Sequence, residues 1–258
     1  MSASPSPLIP ALDLPMIWVA LSYVLGALPF AVWIGRRAGQ DPRVRGSKNP
    51  GASNVARTSG IRWGVVTLFL DAAKGALIPA LILEGVLISV SSDAQSSERI
   101  SWQMSLAEWA AFSGISAVLG HVTSPFLGFK GGRGVATALG ATGALHPGIA
   151  GVGVCVWLTT LLLTRVPAWS SLAMSLSLII LSQLQGVSDS VRFFCLGAAV
   201  IITMRHWTHL KRLFSGQPLN VGPSYLSYQS QGKQRRGRGQ RRSSKKRSKK
   251  RGKMRGDR

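Results

Sequence analysis

The stretch "LPMIWVALSYVLGALPFAVWIGRR", residues 14–37, governs how the rest of the chain is read. Residues 14–35 carry no charge, and a membrane-spanning helix needs about 20 mostly apolar residues. Arg36 and Arg37 close the run, and no basic segment precedes it. That order argues against a cleaved signal peptide and places the N-terminus outside, with the two arginines on the cytoplasmic face. Residues 36–62 then hold seven basic groups against the single acid Asp41. An excess of this kind marks a cytoplasmic loop.

Working outward, apolar runs follow at 63–90, 106–120, 133–146, 148–164, 168–186 and 190–205. The segment "SSDAQSSERIS", residues 91–101, has no basic excess and reads as an outside loop. Seven crossings bring the basic loops 36–62, 128–133 and 205–212 to one side. The expected fold is therefore an all-α integral membrane protein of seven transmembrane helices, with the N-terminus outside and the C-terminus cytoplasmic. Residues 1–222 form the membrane domain. Residues 223–258, a mixture of Ser, Gln, Gly, Lys and Arg, cannot bury enough apolar area to offset the entropy of ordering and read as a disordered basic cytoplasmic tail.

Apolar residues make up 46% of the chain and the mean hydropathy is +0.20, which sets it apart from soluble composition. The net charge of +22 suggests nucleic acid, yet 15 of the 31 Lys and Arg lie between 233 and 258, beside the single acid Asp257. The body is only moderately cationic, so the extreme charge belongs to the appendage. Cys155 and Cys195 sit in apolar runs without metal-ligand spacing and read as small buried thiols.

Chemistry concentrates in the basic loops. "VRGSKNPGASNVARTSG", residues 44–60, combines turn-forming Gly46, Pro50, Gly51 and Gly60 with short donors and with Arg45, Lys48 and Arg57. Such a backbone approaches anions closely. A second element, "FKGGRGVAT" at 129–137, lies on the same expected face directly before a helix, where anions are favoured. Neither a Walker pattern nor a GxGxxG fingerprint is present, so nucleotide binding is disfavoured. Asp71 and Lys74 share a helix face and read as an intramembrane ion pair. His206 and His209 lack a nearby third ligand, and no metal site is expected. Nucleophile-elbow, zinc-protease and reactive-cysteine patterns are absent too, which disfavours a covalent acyl-enzyme. The inventory suits binding two anions side by side at a membrane surface.

"GSKNPGASNVAR" at 46–57, "DAAKG" at 71–75, "GHVTSPFLGFKGGRGVAT" at 120–137 and "RHWTHLKRLFSGQ" at 205–217 occur in sequential order. Together they resemble the PlsY-type, acyl-phosphate-dependent glycerol-3-phosphate acyltransferases of bacteria, over about residues 14–217. The resemblance implies a multi-pass enzyme of the bacterial inner membrane with a cytoplasmic active site. It would transfer an acyl chain from acyl phosphate to the 1-hydroxyl of glycerol 3-phosphate, giving lysophosphatidic acid and phosphate without a cofactor or metal. Implied partners are the two substrates, membrane lipid and the soluble enzyme that makes acyl phosphate.

Carried over by motif, the candidate catalytic residues are Ser47, Arg57, Lys130, His206 and His209. Asn49, Gly51, Asn54, Gly131, Gly132, Arg133 and Gly134 are candidate substrate-binding residues. Three positions depart from the family pattern: Lys48 where glycine is common, Arg133 in place of a second Lys, and His209 where Asn is usual. The basic tail lies outside the shared pattern and is expected to meet anionic lipid, with RNA as the alternative. Two readings from other classes stand beside the enzyme: a membrane anion transporter, and a membrane-anchored nucleic-acid-binding protein that works through its tail.

Overall fold

A computed structural model describes residues 13–86, 104–184 and 186–215; the basic tail and the expected outside loop, residues 91–101, lie outside them. The described residues are helical throughout their ordered elements. In chain order these are α1 (Asp13–Ala27), α2 (Phe30–Arg37), α3 (Ala52–Ser59), α4 (Ile61–Leu83), α5 (Leu106–Val122), α6 (Val135–Leu145), α7 (Pro147–Thr164), α8 (Pro167–Ser182), α9 (Asp189–Arg205) and α10 (Trp207–Phe214). A short 3-10 turn, Pro125–Leu127, lies between α5 and α6.

Four stretches are long and apolar enough to cross a membrane: Pro15–Arg37, Ile61–Leu83, Leu106–Leu127 and Pro147–Thr164. Helices α6, α8 and α9 are shorter, and α6 with 11 residues rises only about 16 Å, half of a hydrocarbon core. Short α6 is nevertheless held firmly. Gly75 on α4 faces the backbone of Thr137, and Gly140 on α6 faces that of Ala72, so the two helices approach more closely than any side chain at those glycines would permit.

The interior gathers Val118, Ala138, Ala141, Met174, Leu178, Phe194, Ala198 and Ile202 from α5, α6, α8 and α9. Outward-facing positions are equally apolar, with Leu162 and Leu163 77% and 79% exposed and Phe69 70%. Apolar inside and outside is a lipid-facing pattern. Of the two cysteines, Cys195 is buried as the sequence suggests, whereas Cys155 is exposed on α7.

The structure departs from the sequence reading at three joints. The first apolar run is not one helix: it breaks between Ala27 and Phe30, because Pro29 has no N–H with which to continue the ladder. Lys74 Nζ reaches across from α4 to donate to the Leu28 carbonyl at 2.9 Å. The same ammonium lies 2.8 Å from Asp71 Oδ1, with both side chains almost fully buried, so the pair expected from their spacing is formed and also serves the break.

The second joint lies in the basic loop, whose later half is helical as α3 rather than turn throughout. Buried Val55 anchors that helix to the fold.

The third separates α9 from α10. Helix α9 ends at Arg205; at His206 (φ −104°) the chain turns, and the Ile202 carbonyl accepts both the His206 N–H at 3.1 Å and its Nδ1 at 2.8 Å. His206 thus forms the turn between α9 and α10, and His209 lies on α10.

Candidate active site

Loop 38–51 is folded around one amide. Asn54, 2% exposed, accepts from the Ser47 N–H at 2.9 Å through Oδ1, and its Nδ2 donates to the carbonyls of Pro42, Arg45 and Asn49 at 2.8, 3.0 and 3.0 Å. The side chain is therefore occupied in shaping the loop. Gly51 precedes α3 and its carbonyl accepts the N–H groups of Asn54 and Val55. Lys48 adopts φ +60°, a left-handed conformation that costs a residue with a Cβ about 1–2 kcal/mol, which is why glycine suits this position. Asp41 closes the loop's entrance with Arg43 and Arg36; the Arg43 hydrogen bond, above all, holds its carboxyl well below the usual carboxylate range.

The second loop, 128–134, is wedged between the ends of α5 and α9. The Gly131 N–H donates to the Val122 carbonyl and the Gly132 N–H to that of His121, each at 3.1 Å. A Cβ on Gly131 would strike the His121 carbonyl, and one on Gly132 the His121 ring. These two glycines provide close approach, and their amides are spent inside the fold, so an amide cradle for phosphate does not extend to them. Gly134, at φ +82°, turns the chain into α6.

Arg205, the last residue of α9, holds the loop from the other side, with Nε to the Gly132 carbonyl at 3.2 Å and Nη2 to that of Gly131 at 2.9 Å. Sequence reasoning passed over Arg205, because an arginine at the end of an apolar run looks like a topological signal.

Arg133 Nη2 lies 2.7 Å from His209 Nε2. A guanidinium has no acceptor, so the imidazole nitrogen accepts and its proton sits on Nδ1. Arg133 on the second loop and His209 on α10 thus touch each other. Burial first, then the neighbouring charges of Arg205 and Arg57, push the Arg133 guanidinium below its ordinary pKa.

Arg57 is half-buried on α3 and Lys130 is exposed on the second loop. Among the described residues, Arg57, Lys130, Arg133 and Arg205 form no ion pair: Asp41 is taken by Arg36 and Arg43, Asp71 by Lys74 and Asp189 by Arg192. The exposed Ser47 hydroxyl and the Asn49 side-chain amide make no hydrogen bond within the described residues.

His206 is fully buried and its ring centroid lies 6.1 Å from that of His209. Because the Ile202 carbonyl can only accept, Nδ1 carries the proton, leaving Nε2 a bare lone pair with no partner among the described residues. Burial above all pushes the pKa of this imidazole down to about 4, so it rests neutral and holds an accepted proton only weakly. A small cleft beside the loops is lined by Leu28, Pro50, Asp71, Lys74, His121 and Gly132, so residues of both motif loops meet over the buried ion pair. Pro50 with Gly132, Arg57 near Arg133, Arg133 with His209 and Arg205 with Gly131 and Gly132 thus tie the two loops to the α9–α10 joint, with Asn54, Gly131 and Gly132 shaping the loops from within.

A family model described as glycerol-3-phosphate acyltransferase matches residues 16–216. The chain is 36% identical over 199 residues to a glycerol-3-phosphate acyltransferase of Aquifex aeolicus, covering 77% of this chain and 95% of that protein. A glycerol-3-phosphate acyltransferase of Bordetella petrii is 36% identical over 222 residues, covering 83% and 96%. Among solved structures, the chain is similar to the glycerol 3-phosphate form of PlsY, an integral membrane glycerol 3-phosphate acyltransferase. There the TM-score is 0.67 and the identity 31%, over 80% of this chain and 94% of that one. The lysophosphatidic acid form of PlsY gives a TM-score of 0.67 and 28% identity, over 83% and 97%.

Proposed function

Because the chain belongs to the glycerol-3-phosphate acyltransferase family, we propose that its acyl donor is an acyl phosphate and its acceptor the 1-hydroxyl of glycerol 3-phosphate. The products are lysophosphatidic acid and inorganic phosphate, in the first acylation of bacterial phospholipid synthesis. The observation that carries this reading is that Arg57, Lys130 and Arg133 form no ion pair among the described residues, and that Arg133, close to Arg57, touches His209 beside a buried histidine with a bare Nε2. Both substrates bring phosphate, and unneutralised arginine and lysine are its natural partners.

An acyl phosphate is already activated, so positioning and charge stabilisation suffice. Arg57 and Lys130 take the phosphate charge, and Arg133, braced by His209, adds to it. Ser47 and Asn49 offer their unused hydroxyl and amide, while Asn54, Gly51 and Gly134 hold the loops in shape. The acceptor oxygen attacks the acyl carbonyl carbon, the carbon–oxygen bond to phosphate breaks, and phosphate departs with the bonding pair. His206 Nε2 accepts the proton of the attacking hydroxyl and returns it to the leaving phosphate. The chemistry takes place at the cytoplasmic mouth of a seven-crossing bundle in the bacterial cell membrane, with the acyl tail among the helices.

Purified protein given palmitoyl phosphate and glycerol 3-phosphate in the presence of a chelator should form lysophosphatidic acid. Equal rates with acyl-coenzyme A, or none with acyl phosphate, would refute the donor assignment.

A further inference from the structure

We propose that Arg205 is a positioning residue that locks the second loop to the end of α9. The proposal rests on the acyl-phosphate reading above. Both carbonyls it binds belong to residues, Gly131 and Gly132, whose own N–H groups are already tied to α5. The loop is thereby fixed from two sides, and Arg205 is the side that connects it to the histidine. On one flank of this contact stands Lys130, on the other Arg133, and His206 follows Arg205 directly in the chain.

The fork geometry is what matters. One planar guanidinium spans two successive carbonyls at 3.2 and 2.9 Å, whereas a lysine presents a single point of charge at the end of a flexible stem. His206, for its part, cannot follow a displaced loop, because its ring is pinned to Ile202 within α9. Loosening the clamp therefore changes the distance between the phosphate-holding cations and the proton acceptor. It leaves both sets of groups chemically intact.

That separates the clamp from a direct phosphate contact. If Arg205 worked by charge on phosphate, Arg205→Lys would retain much of the function and its defect would lie in KM for glycerol 3-phosphate. As a clamp, Arg205→Lys should lower kcat roughly 10-fold or more while KM moves less than about threefold, since small misplacements of reacting groups act on rate. Arg205→Gln, which can reach one carbonyl at most, should behave alike. Added to Lys130→Ala, the Arg205→Lys change should cost little more, because both act through one loop.

The experiment compares steady-state kinetics of these variants with palmitoyl phosphate, alongside unfolding midpoints in detergent. Wild-type kcat in Arg205→Lys, a defect confined to KM, or additive losses with Lys130→Ala would overturn the proposal. Failure of both variants to fold would overturn it too, since a clamp on one loop leaves the packing of α4 to α9 intact. If wild-type protein does not use acyl phosphate at all, it is the donor assignment that fails.

Discussion

At the scale of single residues, charge without a partner is the informative feature. Arg57 on α3 and Lys130 on the second loop are neither of them ion-paired among the described residues, and both are proposed to meet phosphate. Arg57→Ala and Lys130→Ala should each lower kcat/KM by roughly 100-fold or more, since a charge-assisted hydrogen bond is worth about 1.5–3 kcal/mol and about 1.4 kcal/mol is tenfold. Wild-type kinetics in a folded variant would remove that residue from the site. His209 makes a subtler case. Its Nε2 accepts from Arg133, and an Asn amide oxygen can do the same, so His209→Asn should retain activity while His209→Ala, lacking any acceptor, should lose about tenfold. Equal activity of both variants with wild type would show that the contact does not serve the reaction.

At the scale of elements, the break between α1 and α2 depends on a charge from α4. Lys74 serves the Leu28 carbonyl and Asp71 together, from a position 4% exposed. Removing one partner of a buried pair strands the other charge, at a cost of about 3–5 kcal/mol. Lys74→Met should therefore destabilise strongly, and adding Asp71→Asn should recover part of the loss by removing the stranded carboxylate. Detergent unfolding curves of the single and double variants test this; no recovery in the double would mean that the Leu28 contact, not the ion pair, carries the stability. The same break brings Leu28 and Pro50 into one cleft with His121 and Gly132. A prolonged straight helix could not bend the chain toward that region.

At the scale of the whole molecule, the family model ends at residue 216 and the basic tail lies beyond it. Truncation after Tyr228 removes 15 Lys and Arg but none of the proposed site residues, so acyl transfer should stay within about twofold of wild type by the ordinary scale of surface changes. Loss of activity in a membrane-inserted truncation would join tail and enzyme.

Sequence by itself determined the membrane class, the main helices from α4 to α9, the Asp71–Lys74 pair and the two basic glycine loops. These follow from local signals: uninterrupted apolarity, charge spacing and turn-forming residues. Only the tertiary structure decided what each loop residue touches. Asn54 looked like a substrate donor and is spent on four backbone groups; Gly131 and Gly132 looked like an anion cradle and are tied to α5. Arg205 looked like a topological charge and spans two carbonyls more than 70 positions away in the chain. Hydrogen-bond capacity is a property of the residue, but its allocation depends on which carbonyls the packed helices bring within 3 Å. No pattern along one chain encodes that distance.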